Sequence, residues 1–232
     1  MDERRRHRLS RLVAECGAAG AALGRSLCAA LPSQLPGVDG AALVLHGSDR
    51  AEELVGASDP WAAGLAEEQF TLGEGPVPAA IGAGEPVLAG DLAAESARWP
   101  AFTAAARAGG LAAVFVFPLR ADTAVLGTLA LYSRRAGDLS EDAAADAAVL
   151  ADLVTRALLA QHERMGDEER LRVDLAYQEV NMASGMLAVQ LGVSLEEALV
   201  RLRAHAFATG RSVRELAKDV LARRIPLNRL AD

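Results

Sequence analysis

Residues 178–225 contain two helix starts built to one plan. Ser194-Leu195-Glu196-Glu197 and Ser212-Val213-Arg214-Glu215 each place a serine three residues ahead of a glutamate. The serine hydroxyl can accept from an orphan backbone N–H, and the glutamate can reach back to the serine's own N–H, as in a capping box. Each box follows a glycine, Gly192 or Gly210, suited to ending the preceding helix. These signals divide the stretch into three short helices joined by tight turns. Such helices with basic outer faces suit a compact module that docks on a polyanion. They do not suggest a catalytic pocket.

Net charge alone points the other way, because the 232-residue chain carries −7. Its distribution reverses that reading. Residues 1–160 hold 13 Arg against 20 Asp and Glu, whereas residues 181–229 hold eight basic side chains against four acidic ones. The eight are Arg201, Arg203, Arg211, Arg214, Lys218, Arg223, Arg224 and Arg229. An acidic body with a basic appendage reads as a functional division.

The body follows a different periodicity. Leu9 to Leu31 is helical by spacing, and Cys16 and Cys28 fall on that one helix as small apolar residues. Val38 to His46 and Glu52 to Ala57 read as strands. Asp59-Pro60 opens a helix to about Glu68, Gly73-Glu74-Gly75-Pro76 is a turn, and Pro78 to Gly82 allows one helical turn. Pro86 to Ala89 is a short strand and Trp99 to Ala108 a helix. Leu111–Leu119 and Ala124–Ser133 are strong strands joined as a hairpin, and Ser140 caps a long helix to about Met165. This order predicts an α+β domain, an antiparallel sheet with helices on one face, followed by an all-α three-helix bundle.

Gly166-Asp167-Glu168-Glu169 marks a break before a second long helix running to about Gln190. A patchy heptad through Leu150, Val154, Ala157, Leu171, Leu175 and Met182 leaves two readings open: a dimeric coiled coil, or packing on the chain's own body. The domains expected are 1–160, a helical connector at 161–177, the bundle at 178–226 and a tail at 227–232.

Several function classes lack their residues. HExxH, GxSxG and Walker loops are missing, and Gly73-x-Gly75 and Gly82-x-Gly84 do not extend to GxGxxG. His7, His46, His162 and His205 lack metal-ligand spacing. No catalytic residue, metal site or cofactor is assigned, and no motif for cyclic nucleotide, bilin or haem is present. No run reaches the ~18 apolar residues of a membrane span. Met1 to Arg11 lacks the apolar stretch of a signal peptide, so a cytoplasmic, non-membrane location is expected.

The C-terminal motifs resemble the ANTAR domain, an RNA-binding antiterminator module of bacterial regulators. Val180-Asn181-Met182-Ala183-Ser184-Gly185-Met186-Leu187 is similar to that family's Q-A-x-G helix, with Met182 where Gln is usual and Ser184 where Lys is common. Gln190-Leu191-Gly192-Val193-Ser194 with Glu196-Glu197-Ala198, and Leu202-Arg203-Ala204-His205-Ala206, resemble its next segments. The body resembles a GAF domain, as commonly fused to ANTAR in actinobacteria. Phe70-Thr71-Leu72-Gly73-Glu74-Gly75-Pro76 is similar to that group's F-x-L-G-E-G-P loop, and Val77 stands where relatives often carry Cys.

The resemblance implies a regulator that binds tandem RNA hairpins in nascent transcripts and so prevents transcription termination, and a homodimer is the expected state. The candidate RNA-binding residues are Ala183, Gly185, Arg201, Arg203, His205, Arg211, Arg214, Lys218, Arg223 and Arg224. Guanidinium groups contact phosphate bidentately and stack on unpaired bases, and His205 or Phe207 could add a ring. For Phe207 a core position competes with that role. An unknown small ligand is expected in the body, in a pocket lined by Trp61, Phe70, Trp99, Phe102, Phe115 and Phe117. Each of these six reads equally as plain core. Two alternatives stay open, in which the helical tail binds a protein partner or DNA.

Overall fold

The computed structural model describes residues 3–17, 21–46, 52–164 and 178–225. The break at 166–169, most of the connector and the tail at 227–232 lie outside the described residues, as do Leu171 and Leu175. The N-terminal region forms α1 (Glu3–Glu15), α2 (Ala21–Gln34), β1 (Gly40–His46) and β2 (Glu52–Ala57). It continues with α3 (Pro60–Leu72), α4 (Pro76–Ala83), β3 (Val87–Ala89), α5 (Pro100–Ala108), β4 (Ala113–Ala121), β5 (Ala124–Ser133) and α6 (Glu141–Arg164). The C-terminal region forms α7 (Gln178–Leu191), α8 (Leu195–Ala208) and α9 (Val213–Leu221).

The five strands make one antiparallel sheet in the order β2-β1-β5-β4-β3. Register sorts its side chains into two rows. Leu43 faces Leu129, which faces Phe117, and all three join a core with Leu27, Leu31, Leu150 and Val154. On the opposite face Ala42, Ala130, Val116 and Val87 align across four strands. They pack with Ala62, Leu65, Ala80 and Phe102. Helices therefore cover both faces, correcting the one-faced expectation. The cause is visible in β4, whose residues Ala113 to Leu119 are all buried. A strand buried on both sides is apolar continuously rather than alternately.

The single helix expected across Leu9 to Leu31 is two. Gly17 takes φ 103 beyond α1, a conformation that a right-handed helix does not contain. The α1 helix then lies along α6. The Arg5 Nε sits 2.7 Å from Asp146, and Arg5 and Arg8 also pair with Asp142 and Asp146 respectively. Leu150 and Val154 are fully buried against the sheet, so on α6 the heptad positions serve the chain's own core.

Both expected helix starts form in the C-terminal region, but only one capping box closes. Ser212 accepts from the Glu215 N–H at 3.2 Å, and Glu215 accepts from the Ser212 N–H at 3.3 Å. Ser194 accepts from the Glu197 N–H at 3.1 Å, while the Glu197 carboxylate turns instead to Arg201 at 2.7 Å. An i,i+4 partner competes with the reach-back. Gly192 and Gly210, at φ 66 and 61, end α7 and α8 as read.

A third core lies among these helices, built from Val180, Ala183, Leu187, Leu202, Val213 and Leu216 with their neighbours. One member comes from outside. Phe70, near the end of α3, is 2% exposed and belongs to this core, with Leu54 of β2 packed beside it. Burying that ring stabilises the contact between the two regions by roughly 1.5–3 kcal/mol.

Candidate nucleic-acid interface

The α8 and α9 helices carry most of the candidate cations, and their surroundings differ. Arg211 donates to Asp219 at 2.6 Å, and Arg224 donates to the other oxygen of the same carboxylate at 2.6 Å. The hydrogen bond from Arg211 holds the Asp219 carboxyl below its ordinary range, with the charges of Arg211 and Arg224 adding to it. Two guanidinium groups on one carboxylate leave this cluster at +1. Lys218 is exposed, with its Nζ 3.8 Å from Glu179 of α7. Arg201 pairs with Glu197 at 2.7 Å. His205 and Arg214 are half-buried.

Arg223 is exposed and holds φ 55, just past the end of α9. Helices commonly finish there on glycine, because the left-handed region crowds any Cβ. Sparsely populated backbone held in place is a recurrent mark of functional positions.

Arg203 lies elsewhere. Its guanidinium carbon stands 4.8 Å from the centroid of the Phe70 ring, at the junction with α3. Beside it the Val213 N–H points to Thr71 Oγ1 at 3.4 Å. Ala183 is fully buried in the third core and Gly185 is half-buried, so Ala183 is a packing position in this arrangement. The cations thus do not all share one open surface. Arg211, Lys218, Arg223 and Arg224 belong to α9 and its ends, and Arg203 faces the sensor-like body.

The six aromatic residues expected in one pocket separate into three sets. Trp61, Trp99 and Phe102 stand on the α3 and α5 side of the sheet, Phe115 and Phe117 on the α2 and α6 side, and Phe70 in the third core. Trp61 donates to the Gly109 carbonyl at 2.8 Å, carries Arg134 3.8 Å above its ring and meets Tyr132 edge-on. Strand alternation separates Phe115 and Phe117 from the rest, since both point to the face opposite Val114 and Val116.

The Phe70–Pro76 loop is held by its own polar groups. Gln69 Oε1 accepts from the Val77 N–H at 2.8 Å, and Gln69 Nε2 lies 3.4 Å from the Tyr132 hydroxyl. Glu74 accepts from the Phe102 N–H at 2.8 Å. Gly75 holds φ 129, and a Cβ there would stand 2.8 Å from Gln69 Oε1. Below this loop a groove of about 580 Å³ runs between the two regions, lined by Trp61, Glu68, Leu72, Phe207 and Arg211 among others. Phe207 is 63% exposed, so it does not take the competing core position. Burial raises the Glu68 carboxyl above its ordinary range.

Sequence reasoning did not find Thr71 or Asp219 as partners of this region, nor the junction role of Phe70. The one signal for Phe70 was an aromatic side chain on α3 turned away from the face of Leu65 and Gln69. No metal cluster occurs among the described residues. No single helix among them is long and apolar enough to cross a membrane. Burial pushes the Cys28 thiol up to about 12, and burial also raises Cys16.

Comparison with known proteins agrees with this division. The GAF domain family matches residues 21–159, and the ANTAR domain family matches residues 169–221. No curated protein matches the chain. Among solved structures, the GAF domain of an Acinetobacter phosphoenolpyruvate-protein phosphotransferase superposes with a TM-score of 0.54 at 17% identity, covering 72% of this chain and 99% of that one. A free methionine-R-sulfoxide reductase from Neisseria meningitidis, solved with its substrate, gives 0.53 at 17% identity, covering 71% and 96%. The GAF domain of the cyanobacteriochrome TePixJ gives 0.51 at 17% identity, covering 67% and 95%. At such identities the likeness is one of fold. ANTAR domains are RNA-binding antiterminator modules and GAF domains sense ligands. With a GAF domain ahead of an ANTAR domain, this chain belongs to the GAF family in its GAF-ANTAR architecture.

Proposed function

We propose that this protein is a signal-responsive RNA-binding regulator, not an enzyme, that prevents transcription termination by binding tandem RNA hairpins. It works in the cytoplasm as a homodimer, and its GAF domain receives the signal as a small ligand. The observation that carries this reading is the ANTAR match over residues 169–221, which overlaps the stretch 181–229 where eight basic side chains stand against four acidic ones. The basic side chains at α9 supply phosphate contacts, chiefly Lys218, Arg223 and the pair Arg211 and Arg224. Sequence-selective RNA recognition mostly targets loop bases splayed from a hairpin, and arginine planes are suited to stack on them.

A gel shift with tandem-hairpin RNA tests it. Binding is expected at low salt and should weaken steeply when 0.2 M salt is added, because each phosphate contact releases counterions. Replacing Arg211 and Arg214 together by Glu should abolish the shift while leaving the oligomeric state unchanged. The absence of any shift with the unaltered chain refutes the reading. Equal competition by duplex DNA would turn it into the DNA alternative. A protein partner for the tail has one observation in its favour, the exposed apolar side chains Met182, Val189, Val200 and Phe207. An unchanged RNA affinity in the double Glu variant would support that partner instead.

A further inference from the structure

The helix α3 ends by leaving its own domain's core. Gln69 and Leu65 face the sheet, while Phe70 enters the core of the C-terminal helices and Thr71 meets the first residue of α9. The Phe70 ring does two things there. It fills a place among Leu202, Ala206 and Val213 of the third core, and it supports the Arg203 guanidinium at 4.8 Å. Gly73, at φ 67, closes the other side, since a Cβ on it would lie 3.3 Å from an Arg203 nitrogen.

A guanidinium plane laid on an aromatic face is the contact that arginine also makes with an unpaired nucleobase. We propose that Phe70 occupies the place of an RNA base on Arg203, so that docking of the ANTAR helices on α3 and RNA binding exclude each other at this residue. The inference rests on the reading of the ANTAR helices as RNA-binding, and it names how that surface is regulated. Three observations place the competition at this point. Arg203 is half-buried in the docked arrangement, whereas Lys218, Arg223 and Arg224 remain exposed. Phe70 itself is 2% exposed, so the place it fills against Arg203 is closed to a base while the regions stay together. The Thr71 hydroxyl, 3.4 Å from the Val213 nitrogen, ties the start of α9 to the residue beside Phe70.

In this arrangement the exposed cations make a first, sequence-indifferent contact with phosphate. Full engagement then requires Arg203 to leave Phe70. A signal received by the GAF domain acts by changing how firmly the end of α3 holds the α8 and α9 helices, and RNA shifts the same equilibrium by binding the released form better.

A reversible cross-link tests this in the full chain. Thr71→Cys and Val213→Cys, introduced together with Cys16→Ser, place two thiols where the docked regions touch. The remaining Cys28 is fully buried and unreactive. Affinity for tandem-hairpin RNA is measured by gel shift on one sample, first oxidised and then reduced. Mass spectrometry establishes that the bond has formed. Oxidation is expected to weaken binding at least tenfold, and reduction to restore it. Phe70→Leu, which keeps an apolar side chain but removes the ring, is expected to tighten binding several-fold. Equal affinity of the oxidised and reduced forms overturns the competition and leaves RNA binding itself standing. Should the bond not form under oxidant, Phe70→Leu decides alone, and an affinity equal to that of the unaltered chain overturns the competition. If neither the reduced protein nor Phe70→Leu shifts RNA at all, the functional reading beneath the inference fails with it.

Discussion

Arg211, two residues ahead of α9, places its guanidinium 2.6 Å from Asp219, eight residues further on. The contact orients the arginine and weakens its pull on a polyanion, since the carboxylate repels what the guanidinium attracts. Arg224 shares the same carboxylate. Asp219→Asn keeps the shape and removes one negative charge. RNA affinity at 0.1 M salt should rise two- to five-fold, and the salt dependence should steepen. A drop in affinity would mean that orientation outweighs repulsion. The same pair sets an acid response. Because the folded carboxyl is held below its ordinary value, its contribution to stability is present above about pH 4. It is lost as the pH falls through the folded pKa. Acid unfolding curves of the Asn variant should lack that component.

His46 gives a second pH response, in a nearer range. Burial pushes its imidazole down to about 4. The unfolded chain takes up a proton near 6.5, so acid favours unfolding between those two values. Stability should be full above about pH 6.5 and decline by about 2 kcal/mol by pH 5, at ~1.4 kcal/mol per pH unit. Urea midpoints of the parent and of His46→Gln should converge as the pH is lowered. If the two curves run parallel, the folded imidazole takes up its proton at the ordinary value and burial does not depress it.

Gly75→Ala asks for a Cβ where Gln69 already stands. The position has φ 129 and the new atom would meet Oε1 at 2.8 Å. Strain of this kind costs roughly 1–3 kcal/mol, and displacing the Gln69 carboxamide also loosens its bond to the Val77 N–H. Urea unfolding should register a loss of about 2 kcal/mol or more.

Arg223→Gly should move stability and function in opposite directions. Glycine relieves the left-handed strain at φ 55 and should stabilise the protein by about 0.5–1 kcal/mol. Removing an exposed cation should weaken RNA binding and lower the salt slope by about one. Chemical unfolding and gel shifts on one preparation measure both. A variant that is more stable and binds as well shows that the strained arginine has no part in RNA binding.

How much of this was legible depended on the range of the interactions. Strands β4 and β5 were plain, because Val114 to Phe117 and Val125 to Tyr132 announce themselves by local composition. Ser212 and Glu215 were equally plain, since a capping box is contained in four residues. The failure of Ser194 to close the same box traces to Arg201, four residues beyond Glu197 and present in the sequence all along. Gly17 was misread because a glycine inside a helical period does not reveal its φ. The GAF aromatics were misgrouped for a simpler reason. Phe115 and Phe117 sit two apart and so must share a face, and the register with β3 and β5 decides which. Phe70 offered one local sign, its place on α3 away from the face of Leu65, and nothing nearby named its partners. Its partners Leu202 and Val213 lie far along the chain, and only the folded arrangement of α3 against the last three helices brings them together.

That borrowed ring bears on how the molecule can be taken apart. A fragment beginning at α7 would carry an empty seat where Phe70 now rests, so its behaviour would describe an incomplete object. Grafting these helices onto another sensor should likewise succeed only where the new host offers a comparable side chain at the end of the matching helix.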